Sequence, residues 1–250
     1  MDVKAYLNRL TYDGPLAPTA EALRQLHLAH LLAVPFENLS IHSHEPIVLE
    51  DDALFQKIVN RRRGGFCYEL NGLFGALLRA LGFQVDMLSA QVANEEGGFS
   101  RDFDHMALLV TLEQRWLADV GFGDSFVEPL LLDERDAQVQ RDRAYRIVAD
   151  GERLIMERAD KGNEWKPQYR FTLQPFQYSD YAEMCEYHQT SPESHFTTSR
   201  ICSRLTPRGR ISLTGTSLIT TESGERHERA VAVQKEYDEL LREYFGIVMK

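Results

Sequence analysis

The hydrophobic spacing of the chain changes after Gly82. Before this point Leu70, Phe74 and Leu77 recur every three or four residues, which is typical of one face of a helix. From Phe83 onward the apolar residues fall in short segments rich in β-branched and aromatic side chains, which are typical of strands. Because helices and strands segregate along the chain, we predict an α+β fold.

Three helices are predicted before Gly82. Apolar residues with helical spacing cover 19–33 and 54–59, and a third helix is expected to begin near Cys67. Pro35 ends the first helix and Gly64 breaks the second. Residues 1–82 are therefore predicted to form an N-terminal helical bundle.

Residues 83–194 are predicted to form an antiparallel, barrel-like sheet. The strand candidates are 83–92, 104–112, 115–120, 145–149 and the alternating segment around Phe171. Asp150 and Gly151 form a two-residue hairpin signal after the fourth of these.

Residues 195–250 are predicted to form a C-terminal α/β lid. A hairpin is indicated at 207–209, a strand at 212–220 and an amphipathic helix at about 234–245. The domain boundaries of this three-part division are expected near residues 83 and 195.

The charge of the chain restricts its partners. With 28 basic and 38 acidic residues the formal net charge is −10, which opposes general binding to nucleic acid or to an anionic membrane. A phosphate-bearing ligand would need a local basic pocket. No run of 18 apolar residues and no apolar leader segment is present, so we expect a cytoplasmic protein.

The three cysteines are widely and irregularly spaced. Cys67, Cys185 and Cys202 contain no CxxC pair, so neither a disulfide framework nor a zinc site is indicated. We expect three free thiols and no bound metal.

Cys67 is the most informative of the three. It follows Arg63, Gly64 and Gly65 at the expected start of a helix, where the helix dipole and free N–H groups favour a thiolate. An isolated cysteine is more often a buried apolar residue, so this position alone does not establish chemistry.

A histidine and an aspartate supply what a nucleophilic cysteine needs. His105 interrupts an apolar strand and can accept the thiol proton, and Asp119, at the end of the next strand, can orient the imidazole. Without Cys67 the two would be interpreted as a structural hydrogen-bonded pair.

A two-residue hairpin loop at 113–114 would place His105 and Asp119 on opposite faces of the sheet. Because the proposed pair needs both side chains on the same face, we predict a three-residue loop centred on Leu112, or a bulge.

Four motifs in order resemble the arylamine N-acetyltransferase family. They are Val-Pro-Phe-Glu-Asn-Leu at 34–39, Arg-Gly-Gly-Phe-Cys-Tyr-Glu at 63–69, Asp104-His105 in its apolar strand, and Asp-Val-Gly-Phe-Gly at 119–123. The helical, strand and C-terminal regions also resemble the three-domain layout of that family over nearly the whole chain.

The resemblance implies an acetyl-CoA-dependent enzyme without a metal. It implies a papain-like thiol triad of Cys67, His105 and Asp119, through which the acetyl group passes to arylamines, arylhydrazines or N-hydroxyarylamines by double displacement. It also implies that Glu37 pairs with Arg63 and so braces the loop before Cys67. In the acceptor pocket, Phe36 and Phe122 are implied to line the wall. The coenzyme is implied to enter beside Gly121, Phe122 and Gly123.

Other functions share parts of this pattern. A transglutaminase-like or papain-like thiol hydrolase has the same triad, although it lacks the segments at 34–39 and 119–123. An amide synthase of the same family, which closes macrolactams, would carry every motif. A non-catalytic binding protein is disfavoured because all three triad residue types are present.

Overall fold

The computed structural model describes residues 1–160 and 164–249 and combines helices with two antiparallel sheets. The α+β prediction is confirmed. The helices are α1 Val3–Leu10, α2 Ala20–Ala33, α3 Leu39–His42, α4 Asp51–Phe55, α5 Cys67–Ala80, α6 Ala182–Thr190, α7 His195–Thr198 and α8 Gln234–Phe245. A π-helical turn, Gln56–Asn60, continues α4, and a 3-10 turn, Tyr178–Tyr181, precedes α6.

Thirteen strands form the two sheets in the described residues. They are β1 Phe36–Glu37, β2 Gln84–Val92, β3 His105–Thr111, β4 Arg115–Ala118, β5 Leu130–Leu131, β6 Gln138–Gln140, β7 Arg143–Asp150, β8 Arg153–Asp160, β9 Lys166–Phe176, β10 Ile201–Thr206, β11 Gly209–Thr214, β12 Ser217–Glu222 and β13 Glu225–Ala230.

The central helix of the molecule is α5. Every residue from Cys67 to Leu78 is buried, as expected for a helix that is covered on all sides by α1, α4, β2 and β3. The helix α2 begins where Thr19 accepts a hydrogen bond from the Ala22 N–H and ends before Pro35. The sequence analysis did not anticipate α1 or α6, and the helix expected at 54–59 is divided between α4 and the π-helical turn.

The larger sheet has eight strands in the order β5-β4-β3-β2-β9-β8-β7-β6. Its two edge strands come together through side chains. The Gln138 amide accepts from the Leu131 N–H at 2.8 Å and donates to the Leu131 carbonyl at 3.0 Å. Gln140 makes equivalent contacts with Val127 and Glu128, so the sheet is nearly closed and barrel-like, as predicted.

Two hairpin loops of this sheet differ from the predictions. Thr111 pairs with Arg115, so the β3–β4 loop has three residues, but its centre is Glu113 and not Leu112. Asp150 pairs with Arg153, so the two loop residues of the β7–β8 hairpin are Gly151 and Glu152. Gly151 takes the positive φ of 61° that this tight turn needs.

The smaller sheet has five strands in the order β1-β10-β11-β12-β13, and α8 packs on β10 and β11. The single strand expected at 212–220 was wrong, since a turn at 215–216 divides it into β11 and β12. Phe36 and Glu37 from the first region pair with Ser203 and Cys202 of the last. The division near residues 83 and 195 stays a proposal.

No helix in residues 1–160 and 164–249 is both long and apolar enough to cross a membrane.

Candidate active site

Cys67 is the first residue of α5, and close backbone contacts hold the loop before it. A Cβ atom on Gly64 would lie 1.9 Å from the carbonyl oxygen of Pro35. The Glu37 N–H donates to the Gly65 carbonyl at 2.8 Å, so β1 fixes this loop. Gly64 is therefore required for the close packing of these two backbone segments.

The start of α5 is capped by its own third residue. The Glu69 carboxylate accepts from the Phe66 N–H at 3.1 Å, which is half of a capping box. The signal for this role was present in the sequence, because Glu69 follows Phe66 by three residues. Capping defines where the helix begins and so where the Cys67 side chain lies.

His105 and Asp119 are hydrogen bonded in the interior. Nε2 of His105 lies 2.7 Å from Oδ2 of Asp119, and both side chains are buried. The three-residue β3–β4 loop puts the two residues on the same face of the sheet. This bond occupies Nε2, so a proton exchanged between the ring and another group passes through Nδ1.

Asn71 connects the helix, the sheet and the loop after β4. Its Nδ2 donates to Oδ1 of Asp119 at 2.8 Å and to the Met106 carbonyl at 2.6 Å, and its Oδ1 accepts from the Val120 N–H at 2.8 Å. The sequence analysis missed this residue. A polar side chain four residues after Cys67, and therefore on the same face of the helix, was the available signal.

The Asp119 carboxylate is charged despite its burial. Burial by itself would raise the pKa of Asp119, but the charge and hydrogen bond of His105, together with bonds from Asn71 and the Gly121 N–H, hold the pKa below its usual value. His27 also braces this segment, accepting from the Asp119 N–H at 3.2 Å. Burial lowers the pKa of His27 to about 4, so the ring is neutral.

The surroundings of Cys67 do not make its thiol acidic. Burial raises the pKa of Cys67 well above its usual value, a hydrogen bond from the Met106 backbone lowers it, and the carboxylates of Asp104 and Asp119 raise it further. The sequence analysis expected the helix terminus to favour a thiolate, and this contribution stays a prediction. A thiolate here requires a neighbouring cation to stabilise it, and His105 lines the same cavity as Cys67.

Cys67 and His105 line one cavity of about 430 Å³. Phe36, Phe122 and Phe196 contribute aromatic walls to it, so both aromatic residues predicted for the acceptor pocket lie there. The ring of Phe122 is 5.0 Å from that of His105. A cavity of this size and lining suits a small aromatic molecule.

The loop after β4 passes directly over Cys67. A Cβ atom on Gly121 would lie 2.8 Å from Cα of Cys67, which explains why glycine is required there. Gly121 and Phe122 line the cavity, whereas Gly123 does not in the described part of the chain. Gly123 has a φ of 87° and open space beside it.

Glu37 and Arg63 form a buried ion pair, as the resemblance implied. Nε and Nη2 of Arg63 lie 2.9 and 3.1 Å from the two Glu37 oxygens, and one of these also accepts from the Leu39 N–H at 2.7 Å. Lys57, which the sequence analysis missed, lies 2.6 Å from Glu69 and 4.0 Å from Glu37. The loop before Cys67 is therefore held by two carboxylates and two cations.

A second histidine and aspartate lie at the edge of the cavity. Nε2 of His188 is 3.2 Å from Oδ1 of Asp104, and Nδ1 of His188 is 3.1 Å from Oγ of Ser194. Asp124, which follows Gly123 in the loop after β4, contacts arginines. Among Asp104, Asp119 and Asp124, it is the Asp119 side chain that is hydrogen bonded to His105.

Comparison with known proteins identifies the family. A family model described as N-acetyltransferase matches residues 19–250. The arylamine N-acetyltransferase / N-hydroxyarylamine O-acetyltransferase of Salmonella typhimurium is 36% identical over 247 residues, which cover 97% of this chain and 88% of that protein. The chain belongs to the arylamine N-acetyltransferase family.

Other members of the family are similarly close. The chain is 31% identical to the proansamycin X synthase of Amycolatopsis mediterranei, over 96% of this chain and 95% of that protein. The structure of the Mycobacterium marinum arylamine N-acetyltransferase in complex with CoA superposes with a TM-score of 0.91 at 32% identity, covering 98% of this chain and 93% of that one.

Proposed function

We propose that this enzyme transfers the acetyl group of acetyl-CoA to arylamines and arylhydrazines, and to the hydroxyl of N-hydroxyarylamines, through a thioester on Cys67. The observation that carries the proposal is the 2.7 Å bond between His105 and Asp119 in a cavity that His105 shares with Cys67 and three phenylalanines. Membership of the family and likeness to a relative in complex with CoA support acetyl-CoA as the donor.

In the first half-reaction Cys67 is acetylated. The Sγ proton moves to Nδ1 of His105, and Asp119 stabilises the imidazolium through Nε2. The thiolate attacks the carbonyl carbon of acetyl-CoA, and the bond from that carbon to the coenzyme sulfur breaks. His105 returns its proton to the departing sulfur, so coenzyme A leaves as the free thiol.

In the second half-reaction the acceptor removes the acetyl group. The aryl ring lies among Phe36, Phe122 and Phe196, and its neutral amine attacks the thioester carbonyl. The carbon–sulfur bond to Cys67 breaks, and the amine proton passes through His105 to the Cys67 sulfur. The enzyme returns to its starting state with the amide as product.

Backbone groups stabilise the oxyanion that forms in both steps. The N–H groups around the start of α5 are held in place before the reaction by β1 and by Glu69, so little reorganisation is needed. The ion pair of Glu37 and Arg63 keeps this loop in place without contacting the substrates.

We also propose a cytoplasmic location. All three cysteines are free thiols, as is usual where the compartment keeps thiols reduced.

The test is to mix the protein with acetyl-CoA and a panel of arylamines, hydrazines and aliphatic amines while following free coenzyme A. We expect sustained release of coenzyme A only with aromatic acceptors, and mass spectrometry without acceptor should detect one acetyl group on Cys67. A thiol hydrolase would release coenzyme A steadily without any amine. Absence of acetyl transfer to every acceptor would contradict the proposal.

A further inference from the structure

The charged side chains that line the active-site cavity are acidic. Besides its aromatic residues and histidines, the lining contains the carboxylates of Asp104 and Glu193, and none of the described lining residues is a lysine or an arginine. Arg101, from the same loop as Asp104, stacks on the ring of Tyr187 at 4.8 Å and does not belong to this lining. A ligand in the cavity therefore meets negative charge without a guanidinium or ammonium group to balance it.

Asp104 is held as a carboxylate at the cavity surface. Its side chain is 21% exposed, and its Oδ1 lies 3.2 Å from Nε2 of His188. Nδ1 of His188 in turn lies 3.1 Å from Oγ of Ser194. Burial by itself would raise the pKa of Asp104, but hydrogen bonds from His188 and Ser100 hold the pKa below its usual value. Asp104 is therefore anionic near neutral pH, and part of its surface remains open to a ligand.

The histidines of the lining do not make the cavity positive. His105 is bonded to Asp119. His188 is paired with Asp104. Each pair is neutral when its ring is protonated and carries one negative charge when it is not. His195 is exposed, so solvent screens any charge on its ring. The two pairs are therefore neutral or negative in every state in which the carboxylates are ionised.

An acceptor that reacts at Cys67 places its ring substituents against this polar lining. Its amine has to reach the thioester and its ring packs among the phenylalanines, so a group at the far end of the ring meets the remaining residues of the cavity. An anionic group there would lose water beside a carboxylate of the same sign. A neutral group with an N–H or O–H can instead donate a hydrogen bond to Asp104.

We propose that Asp104 makes this enzyme select neutral arylamines that carry a hydrogen-bond donor on the ring and reject arylamines that carry an anionic substituent. Asp104 acts here on specificity, since the proposed proton transfer uses Asp119. Glu193, which is exposed, adds a weaker repulsion of the same sign. The proposal rests on the proposed acetylation of arylamines and defines the class of acceptor within it.

The test compares two acceptors of the same shape, 4-aminobenzamide and 4-aminobenzoate, at pH 8, where free imidazole is neutral. In double displacement, kcat/KM for the acceptor reports only its reaction with the acetylated enzyme, so changes in donor binding do not alter it. The ratio of the two values, amide over acid, is divided by the same ratio for acetylation by acetic anhydride, which removes the difference in amine reactivity. We expect a corrected ratio of about ten or more in the wild type, as for repulsion between two partly desolvated charges.

Variants identify the source of the selectivity. In Asp104→Asn we expect the corrected ratio to fall toward one, because the amide keeps the shape of the side chain and removes its charge. Glu193→Gln should lower the ratio by a smaller factor. Asp102→Asn is the matched control, since it removes an equal charge from the same loop. Asp102 lies outside the cavity lining and is 3.3 Å from Arg153, and its side chain is 58% exposed, so this variant should keep the wild-type ratio.

The outcomes separate this proposal from the proposed function. A corrected ratio near one in the wild type, or an equal ratio in the wild type and both cavity variants, would overturn the assignment. An equal fall in Asp102→Asn would also overturn it, since net charge and not the cavity would then be responsible. If Asp104→Asn does not fold, the wild-type ratio and the exposed Glu193→Gln variant decide. Failure to acetylate unsubstituted aniline from acetyl-CoA would overturn the proposed function itself, whereas acetylation of aniline with a corrected ratio near one would overturn only the specificity.

Discussion

At the scale of single residues, the proposed reaction depends on Asp119. Burial raises the pKa of the Cys67 thiol, so the proposed mechanism needs His105 as the counter-ion of the thiolate. His105 in turn depends on Asp119, which Asn71 and the Gly121 N–H hold in place. The proposed proton transfer therefore depends on one connected set of buried hydrogen bonds.

Asp119→Asn tests this dependence with little change in shape. The amide can turn its NH₂ group toward the His105 ring and favour the wrong tautomer, so proton transfer from Cys67 should be impaired. In single-turnover experiments near pH 7 we expect the release of coenzyme A to slow by orders of magnitude. The rate should recover partly at higher pH, where the thiolate forms without help.

The variant must keep its fold, which circular dichroism can verify. If folded Asp119→Asn acetylates Cys67 at the native rate with an unshifted pH profile, Asp119 has no role in proton transfer. Asp104 would then be the next candidate, although it is paired with His188.

The three thiols should differ in reactivity toward iodoacetamide. All are buried, and burial raises the pKa of Cys185 to about 12 and that of Cys202 well above its usual value. Only Cys67 shares a cavity with His105, so near neutral pH we expect it to be alkylated first. Peptide mass spectrometry of a time course decides this, and His105→Gln should remove the preference. Faster labelling of Cys185 or Cys202 in the wild type would contradict the assignment.

At the scale of elements, β1 positions the start of α5. A buried ion pair connects this strand to the loop before the helix. Glu37 belongs to β1, and Arg63 belongs to the loop before Cys67. Their bond therefore fixes the position of Cys67 relative to this edge strand. Burial alone would raise the pKa of Glu37, but Lys57, Arg63 and the Leu39 N–H lower it below its usual value. The carboxylate thus favours the folded state when it is charged.

Glu37→Gln should destabilise the protein by about 3 to 5 kcal/mol, because the buried Arg63 would lose its closest carboxylate and keep the more distant one of Glu45, 3.6 Å away. Urea unfolding measures this loss, and activity should fall with it. Asp133→Asn is the matched control, since it removes the partner of the exposed Arg115 and should cost less than about 1 kcal/mol. A stable Glu37→Gln variant with normal turnover would show that the pair does not support the loop.

The lowered pKa of Glu37 predicts how the effect of the same variant on stability depends on pH. A group whose pKa is lower in the folded than in the unfolded chain stabilises the fold above the unfolded pKa, and this contribution is lost as the pH falls through the folded pKa. The difference in stability between the wild type and Glu37→Gln should therefore be largest near neutral pH and shrink in acid. A difference that grew in acid would contradict the direction of the Glu37 shift.

At the scale of the whole molecule, the first region is bonded to the last. Nδ2 of Asn38 donates to the carbonyls of Phe196 and Ser199 at 2.9 and 2.7 Å, and its Oδ1 accepts from the Ile201 N–H at 2.9 Å. The pairing of β1 with β10 lies beside these bonds. We therefore expect the proposed C-terminal region to unfold together with the rest.

Asn38→Ala should weaken this connection. Three hydrogen bonds to part-buried backbone groups are lost, which should cost about 3 kcal/mol. Calorimetry of the wild type should give one transition, and the variant should show either a lower Tm or a separate early transition of residues 195–249. Two transitions in the wild type, unaffected by the variant, would mean that the C-terminal region is an independent unit.

The types of the main elements could be predicted from the sequence, because helix and strand spacing and capping are local. The helix over Gln234–Phe245, the start of α5 at Cys67 and the strand β2 follow from the side chains of those segments alone. Turns were placed less well. The loops at Glu113 and Gly151 each lie one residue later in the chain than predicted. A shift of one residue changes the local sequence pattern very little, although it changes the partner of every residue in the hairpin.

The sequence by itself also determined which residue types are available for thiol chemistry and their order along the chain. A cysteine, a histidine and an aspartate suited to these roles are recognisable from their positions on the predicted elements. Only the tertiary structure decided how they are supported. Asn71, Lys57 and the arginines 143 and 210 act through partners far away in the chain or on another element. Such contacts form when α5, the closed sheet and the smaller sheet pack together, so no local pattern specifies them.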